Sequence, residues 1–170
     1  SALSQTLENI EVIIVDNEST DKSLDKIKNE YSNNKKVLIG TAKNIWPNCW
    51  DEARHKGFEM SSGEYLFTLA SDDVYSSTYV ENNLKFLSQA PNRIKALQSP
   101  IIGIDSKGTV SSSEVRHTYR SLSEFKKLAL QRCPVNSPTV VYKRSVYENG
   151  LLKTEPEKFG GGADFHLYCK

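Results

Sequence analysis

The apolar stretch Ile10–Val15 runs directly into Asp16-Asn17-Glu18-Ser19-Thr20-Asp21, and a second one, Tyr65–Ala70, runs into Asp72-Asp73. Short apolar runs rich in β-branched residues read as buried strands. Two strands that both end in carboxylates restrict what the chain can build. In an open α/β sheet, ligands sit in the crevice beyond the carboxyl ends of the strands. Carboxylates in that crevice suit a divalent cation and the hydrogen-bonding edges of a sugar or base, and they repel a bare phosphate. The pattern points to a metal-assisted nucleotide site rather than a glycine-rich phosphate loop.

The rest of the chain fits that frame, because helical and strand patterns alternate along it. Glu11–Val15 reads as a strand buried on both faces. A helix over Asp21–Tyr31 places Leu24, Ile27 and Tyr31 on one side, with Ser19 or Thr20 able to cap it. Lys36–Ile39 is a short strand, Pro47 to Met60 a helix stopped by Ser61-Ser62-Gly63, and Tyr65–Leu69 the next strand. Thr78 and Glu81 have capping-box spacing ahead of Val80, Leu84 and Leu87, and Pro91 closes that helix. Ala96–Ile104 reads as a strand leading to a turn at Asp105-Ser106-Lys107-Gly108. Ser121 and Glu124 form a second capping box, and Thr139–Tyr142 a last strand. The expected class is α/β, a mostly parallel nucleotide-binding sheet flanked by helices.

At 170 residues the chain is one domain, 1–170, with a real core. A net charge of +1, with Lys and Arg dispersed, argues against nucleic acid as a partner. Cys49, Cys133 and Cys169 are widely spaced without a C-x-x-C pair, which supports neither a disulfide framework nor zinc, and fits a cytoplasmic protein. Met60 is the only methionine, and the opening Ser1-Ala2-Leu3-Ser4-Gln5 reads like a helix end entering a strand. A fragment of a longer protein is therefore expected, with membrane association through that parent as one option.

Read in order, the segments resemble the family 2 glycosyltransferases, nucleotide-sugar enzymes of the GT-A fold. Ser4-Gln5-Thr6, Asn9, and Glu11-Val12-Ile13-Ile14-Val15-Asp16, followed by Ser19-Thr20-Asp21, are similar to that family's S-x-Q-T-x-x-N-x-E-I-I-V-V-D-D-G-S-T-D. Ala53-Arg54-His55-Lys56-Gly57 resembles its A-R-N-x-G, and Ser62-Gly63-Glu64-Tyr65 through Ser71-Asp72-Asp73 its x-G-E-Y-I-x-F-L-D-A-D-D. Gly161-Gly162-Ala163-Asp164 loosely resembles the late G-E-D-x-D-L. Relative to the family pattern, the first strand and its helix are absent, Glu18 replaces Gly, His55 replaces Asn, Ala70 replaces an acid, and Ala163 replaces Glu.

The resemblance implies transfer of a sugar from a nucleotide diphosphate donor, UDP-linked by expectation, to a carbohydrate, lipid-linked or protein acceptor hydroxyl, with inversion. It makes Asp73 the ligand of Mn²⁺ or Mg²⁺, and assigns Asp72 to the ribose and Asp16 to the uracil imide. Arg54 would reach base or diphosphate, and Asp164 would be the general base on a glycine-rich loop. Each has a plainer alternative: Asp72 and Asp73 as solvated acids, Asp16 as a turn-former, Arg54 as a solvated helix face, Asp164 as a helix N-cap. Lys43, Asn44 and His166 are weaker candidates, and Trp46 and Trp50 read as packing against the sheet. A catalytically silent module that binds nucleotide or a partner is the rival from another class. A homo-oligomer is one way to complete the sheet.

Overall fold

The structure is a computed structural model and describes residues 1–45, 49–159 and 167–168, with only the backbone of Cys49 and Trp50. After a 3₁₀ turn at Ala2–Ser4 come β1 (Val12–Asp16), α1 (Ser23–Tyr31), β2 (Val37–Thr41), α2 (Cys49–Met60) and β3 (Tyr65–Phe67). Then follow α3 (Tyr79–Gln89), β4 (Ala96–Leu97), α4 (Leu122–Ala129), β5 (Val141–Lys143), α5 (Arg144–Glu148) and α6 (Pro156–Phe159).

β1 and β2 pair in parallel, from Val12 opposite Val37 to Asp16 opposite Thr41, so both strands end at one edge. α2 lies against this pair. The Met60 thioether rests on Gly40 of β2, where an added Cβ would stand 2.5 Å from Sδ. A side chain at that position would push Met60 off the sheet. Val12–Val15 are half-buried rather than buried on both faces, and only Asp16 in β1 is fully buried.

The α/β class with a helix-flanked parallel pair matches the sequence reading. Among the described residues, the later strands form a second, antiparallel sheet in the order β3-β5-β4. Strand composition suits either direction. Here the long excursion between β4 and β5 returns the chain against β3. Val141 at the centre is fully buried. Around it Phe58, Leu66, Val140, Tyr142, Val146 and Leu152 form the core, joining α2, β3, β5 and α5.

Local differences from the sequence reading have physical causes. The expected strand Ala96–Ile104 stops at Leu97; Pro100 has no N–H for a ladder, and the chain turns into a hairpin bridged at Ile101–Val115 and Ile104–Val110. The Asp105 carboxylate accepts from Lys107 N and Thr109 N, and Gly108 sits at φ +80°, as the turn demands. Neither Ser19 nor Thr20 caps α1; Asp21 Oδ1 accepts from Ser23 N at 2.8 Å instead. At α4, Ser121 Oγ accepts from Glu124 N and Glu124 Oε2 accepts from Arg120 N, a capping box displaced by one residue on its return leg.

The Thr78–Glu81 box does not form, because the start of the chain takes its place. Gln5 Oε1 accepts from Val80 N, Gln5 Nε2 donates to Ser76 O, and Thr6 Oγ1 donates to Glu81 Oε2 at 2.6 Å. A second tie comes from Glu11, whose Oε1 accepts from Ser62 N (2.5 Å), Gly63 N (2.7 Å) and Ser62 Oγ (3.1 Å). Burial pushes the Glu11 carboxyl up, but these hydrogen bonds outweigh it and hold it below its ordinary value. Glu11→Ala is expected to cost about 1–2 kcal/mol at neutral pH. A group with a depressed folded pKa stabilises above its unfolded value and loses that contribution as pH falls through the folded one. Urea unfolding of both proteins should therefore converge in acid; a constant difference down to about pH 3 would contradict this account.

Candidate functional site

The carboxyl edge of the parallel pair is a closed lattice of side chain-to-backbone bonds. Asp16 is 7 % exposed, and its Oδ2 accepts from Ser19 N at 3.0 Å, folding the loop back on the strand end. Asn17 Nδ2 donates to Ala42 O and Lys43 O beyond β2. Glu18 is exposed and sits at φ +56°, a left-handed conformation that costs a non-glycine residue about 1–2 kcal/mol. That geometry accounts for a glycine in the family pattern at this position. In this chain Glu18 instead uses its side chain, Oε2 accepting from Asn44 N at 3.0 Å. Asp16 is thus held at the strand end with its other oxygen, Oδ1, outside this hydrogen bond. The two loops, 16–19 and 42–44, are tied together by the Asn17 and Glu18 side chains.

Asp72 and Asp73 lie on an exposed turn past β3, with Asp73 N donating to Ala70 O at 3.2 Å. The strand has ended at Phe67, so the two side chains are free of the opposite-face rule of a regular strand. Burial first, and the neighbouring Asp72 charge second, raise the Asp73 carboxyl above its ordinary value. Crowded carboxylates gain from a cation that neutralises them both. A divalent ion at this turn would have Asp73 as its protein ligand and would take the rest of its shell from water and substrate oxygens. Among the described residues no group of three or more His, Cys, Asp or Glu gathers to hold a metal, so such an ion would lean on its substrate for ligands.

Sequence reasoning missed what braces this turn. Tyr75 donates its hydroxyl to Thr68 O at 2.5 Å, bridging the turn, and stacks on Tyr79 with ring centroids 4.2 Å apart. Tyr79 in turn donates to Thr139 O and meets Phe67 edge-on. Tyr75 and Tyr79 are four residues apart, a spacing visible in the sequence, but the partner carbonyls are not local. Tyr75→Phe keeps the stack and removes the hydroxyl bridge. It is expected to leave the fold intact and weaken metal-dependent nucleotide affinity about three- to tenfold, read by calorimetry. Unchanged affinity would mean that the hydroxyl does not position the turn.

Arg54 is not a solvated helix face. Its side chain is 13 % exposed, its guanidinium pairs with Asp51 one turn earlier, and Nη2 also donates to Leu152 O at 3.1 Å. Asp51, 6 % exposed, further accepts from the Thr154 hydroxyl, and His55 Nε2 stands 3.4 Å from its Oδ2. Burial raises the Asp51 carboxyl, yet the His55 contact, the Arg54 charge and the Thr154 hydroxyl together hold it below its ordinary value. The cluster clamps α2 to residues 152–154.

The structure thus gives Asp16 and the Asp72-Asp73 pair separate strand ends, in different sheets, linked through the Gln5 and Glu11 ties, while Arg54 faces the 152–154 segment. Asp164, Gly160–Gly162, His166 and Trp46 lie outside the described residues, as does the side chain of Trp50. No described helix is long and apolar enough to cross a membrane.

The sequence profile of Glycosyl transferase family 2 matches residues 1–153. The chain is 31% identical over 168 residues to an uncharacterized glycosyltransferase of Rickettsia bellii, covering 99% of this chain and 23% of that protein. It is 39% identical over 90 residues to an uncharacterized glycosyltransferase of Haemophilus influenzae, 52% of this chain and 35% of the relative. To the UDP-Glc:alpha-D-GlcNAc-diphosphoundecaprenol beta-1,3-glucosyltransferase of Escherichia coli it is 37% identical over 87 residues, 51% of this chain and 33% of the relative. The chain therefore spans between about a quarter and a third of the length of these relatives.

Proposed function

Because the chain belongs to glycosyl transferase family 2, we propose that it carries the donor site of an inverting enzyme that moves a sugar from a UDP-sugar to an acceptor hydroxyl. The observation that carries this reading is the exposed Asp72-Asp73 turn just past the end of β3, where burial first and the adjacent Asp72 charge second raise Asp73. UDP is the donor carrier named for the Escherichia coli relative, and a buried carboxylate at Asp16 is a fitting acceptor for a uracil imide N–H.

In this reading Asp73 holds Mn²⁺ or Mg²⁺, Asp72 accepts from the ribose hydroxyls, and Asp16 reads the base. When bound, the cation neutralises charge developing on the departing diphosphate. Asp164 takes the proton of the acceptor hydroxyl as its oxygen attacks the anomeric carbon from the side opposite the leaving group. The new glycosidic C–O bond forms as the bond to the diphosphate oxygen breaks, UDP leaves with that electron pair, and the anomeric configuration inverts. Arg54, engaged by Asp51 and Leu152 O, ties α2 to the 152–154 segment in this reading instead of reaching the base or diphosphate.

The test is UDP release from a panel of UDP-sugars with saccharide and lipid-linked acceptors, with product configuration read by NMR. Metal-dependent release with an inverted product is the expected result. UDP binding without release from any donor and acceptor would leave a nucleotide-binding module instead.

A further inference from the structure

Three consecutive residues at the end of β1 reach across to the segment that follows β2. Asp16 O accepts from Ala42 N at 2.9 Å. Asn17 Nδ2 donates to Ala42 O at 3.2 Å and Lys43 O at 2.8 Å, and Glu18 Oε2 accepts from Asn44 N at 3.0 Å. These contacts carry the pairing of β1 and β2 beyond its last rung, Asp16 opposite Thr41, as far as Asn44. The first two ask nothing unusual of the backbone. The third exists only at φ +56°, and among the described residues Glu18 is the one non-glycine with a positive φ. Glu18 is exposed, and a hydrogen bond in such a place returns no more to folding than left-handed backbone costs a residue with a side chain. Glycine would sit there without that cost. Strain kept with no gain in stability points to a residue retained for the geometry of a ligand site.

We propose that Glu18 is a positioning residue of the donor site, its carboxylate holding the 42–44 segment beside Asp16 so that the two form one wall for the donor's base. The proposal rests on the sugar-transfer reading above. It adds a residue particular to this chain, because the family pattern has glycine here, with no side chain to make the bridge. Glu18 touches neither base nor metal in this arrangement. It acts through its neighbours: Asp16 is fixed by Ser19 N at its Oδ2 and by Ala42 N at its carbonyl, and the Glu18 bridge holds the segment that supplies Ala42. With the bridge in place the 42–44 segment is ordered before the nucleotide arrives, so ordering it does not weaken binding.

The experiment is calorimetry of UDP in Mn²⁺ on the unaltered protein, Glu18→Gly and Glu18→Gln, with urea unfolding and amide exchange of all three. Glu18→Gly removes bridge and strain together. Its urea midpoint should equal or exceed that of the unaltered protein while its UDP affinity falls about three- to tenfold. At saturating UDP the Mn²⁺ concentration for half-saturation should not move, because Asp72 and Asp73 lie past β3, in the other sheet. Glu18→Gln keeps an oxygen for Asn44 N and should bind UDP within about twofold of the unaltered protein. Without ligand, the Asn44 amide should exchange faster in Glu18→Gly and stay slow in Glu18→Gln. Unchanged UDP affinity in Glu18→Gly would overturn the proposal. So would Glu18→Gln binding as weakly as Glu18→Gly, which would make the charge rather than the bridge the active element. A urea midpoint that falls together with affinity would reduce Glu18 to a contact of the fold and overturn it equally. Absence of UDP binding by the unaltered protein in Mn²⁺ would sink the donor reading and this proposal together, whereas the preceding outcomes, seen against normal binding, sink this proposal alone.

Discussion

Asp73→Ala is expected to lower sugar transfer by about 10²-fold or more and to abolish its dependence on Mn²⁺. On the proposed reading Asp73, whose ionised form is disfavoured by burial and by Asp72, is the carboxylate that would hold the ion. A cation at the departing diphosphate is worth several kcal/mol of transition-state stabilisation, and each 1.36 kcal/mol is a factor of ten in rate. The turn is exposed and braced by Tyr75, so the variant should fold as the unaltered protein does. Asp72→Ala is expected to act mainly on nucleotide affinity. Because protons compete with the ion for Asp73, metal affinity should fall as pH drops toward the raised pKa of that carboxyl. Steady-state rates across a Mn²⁺ series, with and without the substitution, check this; an Asp73→Ala enzyme that still responds to Mn²⁺ would place the ion elsewhere.

The second large effect is on stability. Asp51→Ala is expected to cost about 3–5 kcal/mol, a sizeable part of the 5–15 kcal/mol that holds a typical domain folded. Asp51 is buried and meets Arg54, His55 and Thr154, so its removal leaves the buried Arg54 guanidinium without its carboxylate. Asp51→Asn keeps the volume and a hydrogen bond to Thr154 and should cost less, while a joint apolar replacement of Asp51 and Arg54 should recover part of the loss. The pH dependence follows from the depressed carboxyl: the contribution is present above the ordinary aspartate value and is lost as pH falls through the folded one. Urea midpoints followed by circular dichroism measure all three variants. A cost below about 1 kcal/mol for Asp51→Ala would mean the pair behaves as a solvent-screened surface bridge.

What the sequence made legible was whatever depends on neighbours in the chain. The β-branched run before Asp16, the apolar run before Asp72-Asp73 and the helix at Tyr79–Gln89 follow from local composition and period. Strand direction in the second sheet does not, because it is decided by the return of a distant segment into β5. The Thr78–Glu81 spacing pointed to a local cap, but Gln5 and Thr6, more than seventy positions away, fill it more completely. The sequence left Arg54 between a base or diphosphate contact and a solvated helix face, and its bond to Leu152 O was not legible because that carbonyl is 98 residues distant. Glu18 carried a legible signal, a non-glycine where glycine recurs, and its positive φ supplies the reason.

The most direct measurement of the donor site is calorimetry of UDP against this chain in Mn²⁺ and in EDTA. The account requires binding in Mn²⁺ that is lost in EDTA and reduced at least about tenfold by Asp16→Ala, through loss of the base contact. Equal affinity in Mn²⁺ and EDTA, or no binding by a protein that circular dichroism confirms to be folded, would contradict it.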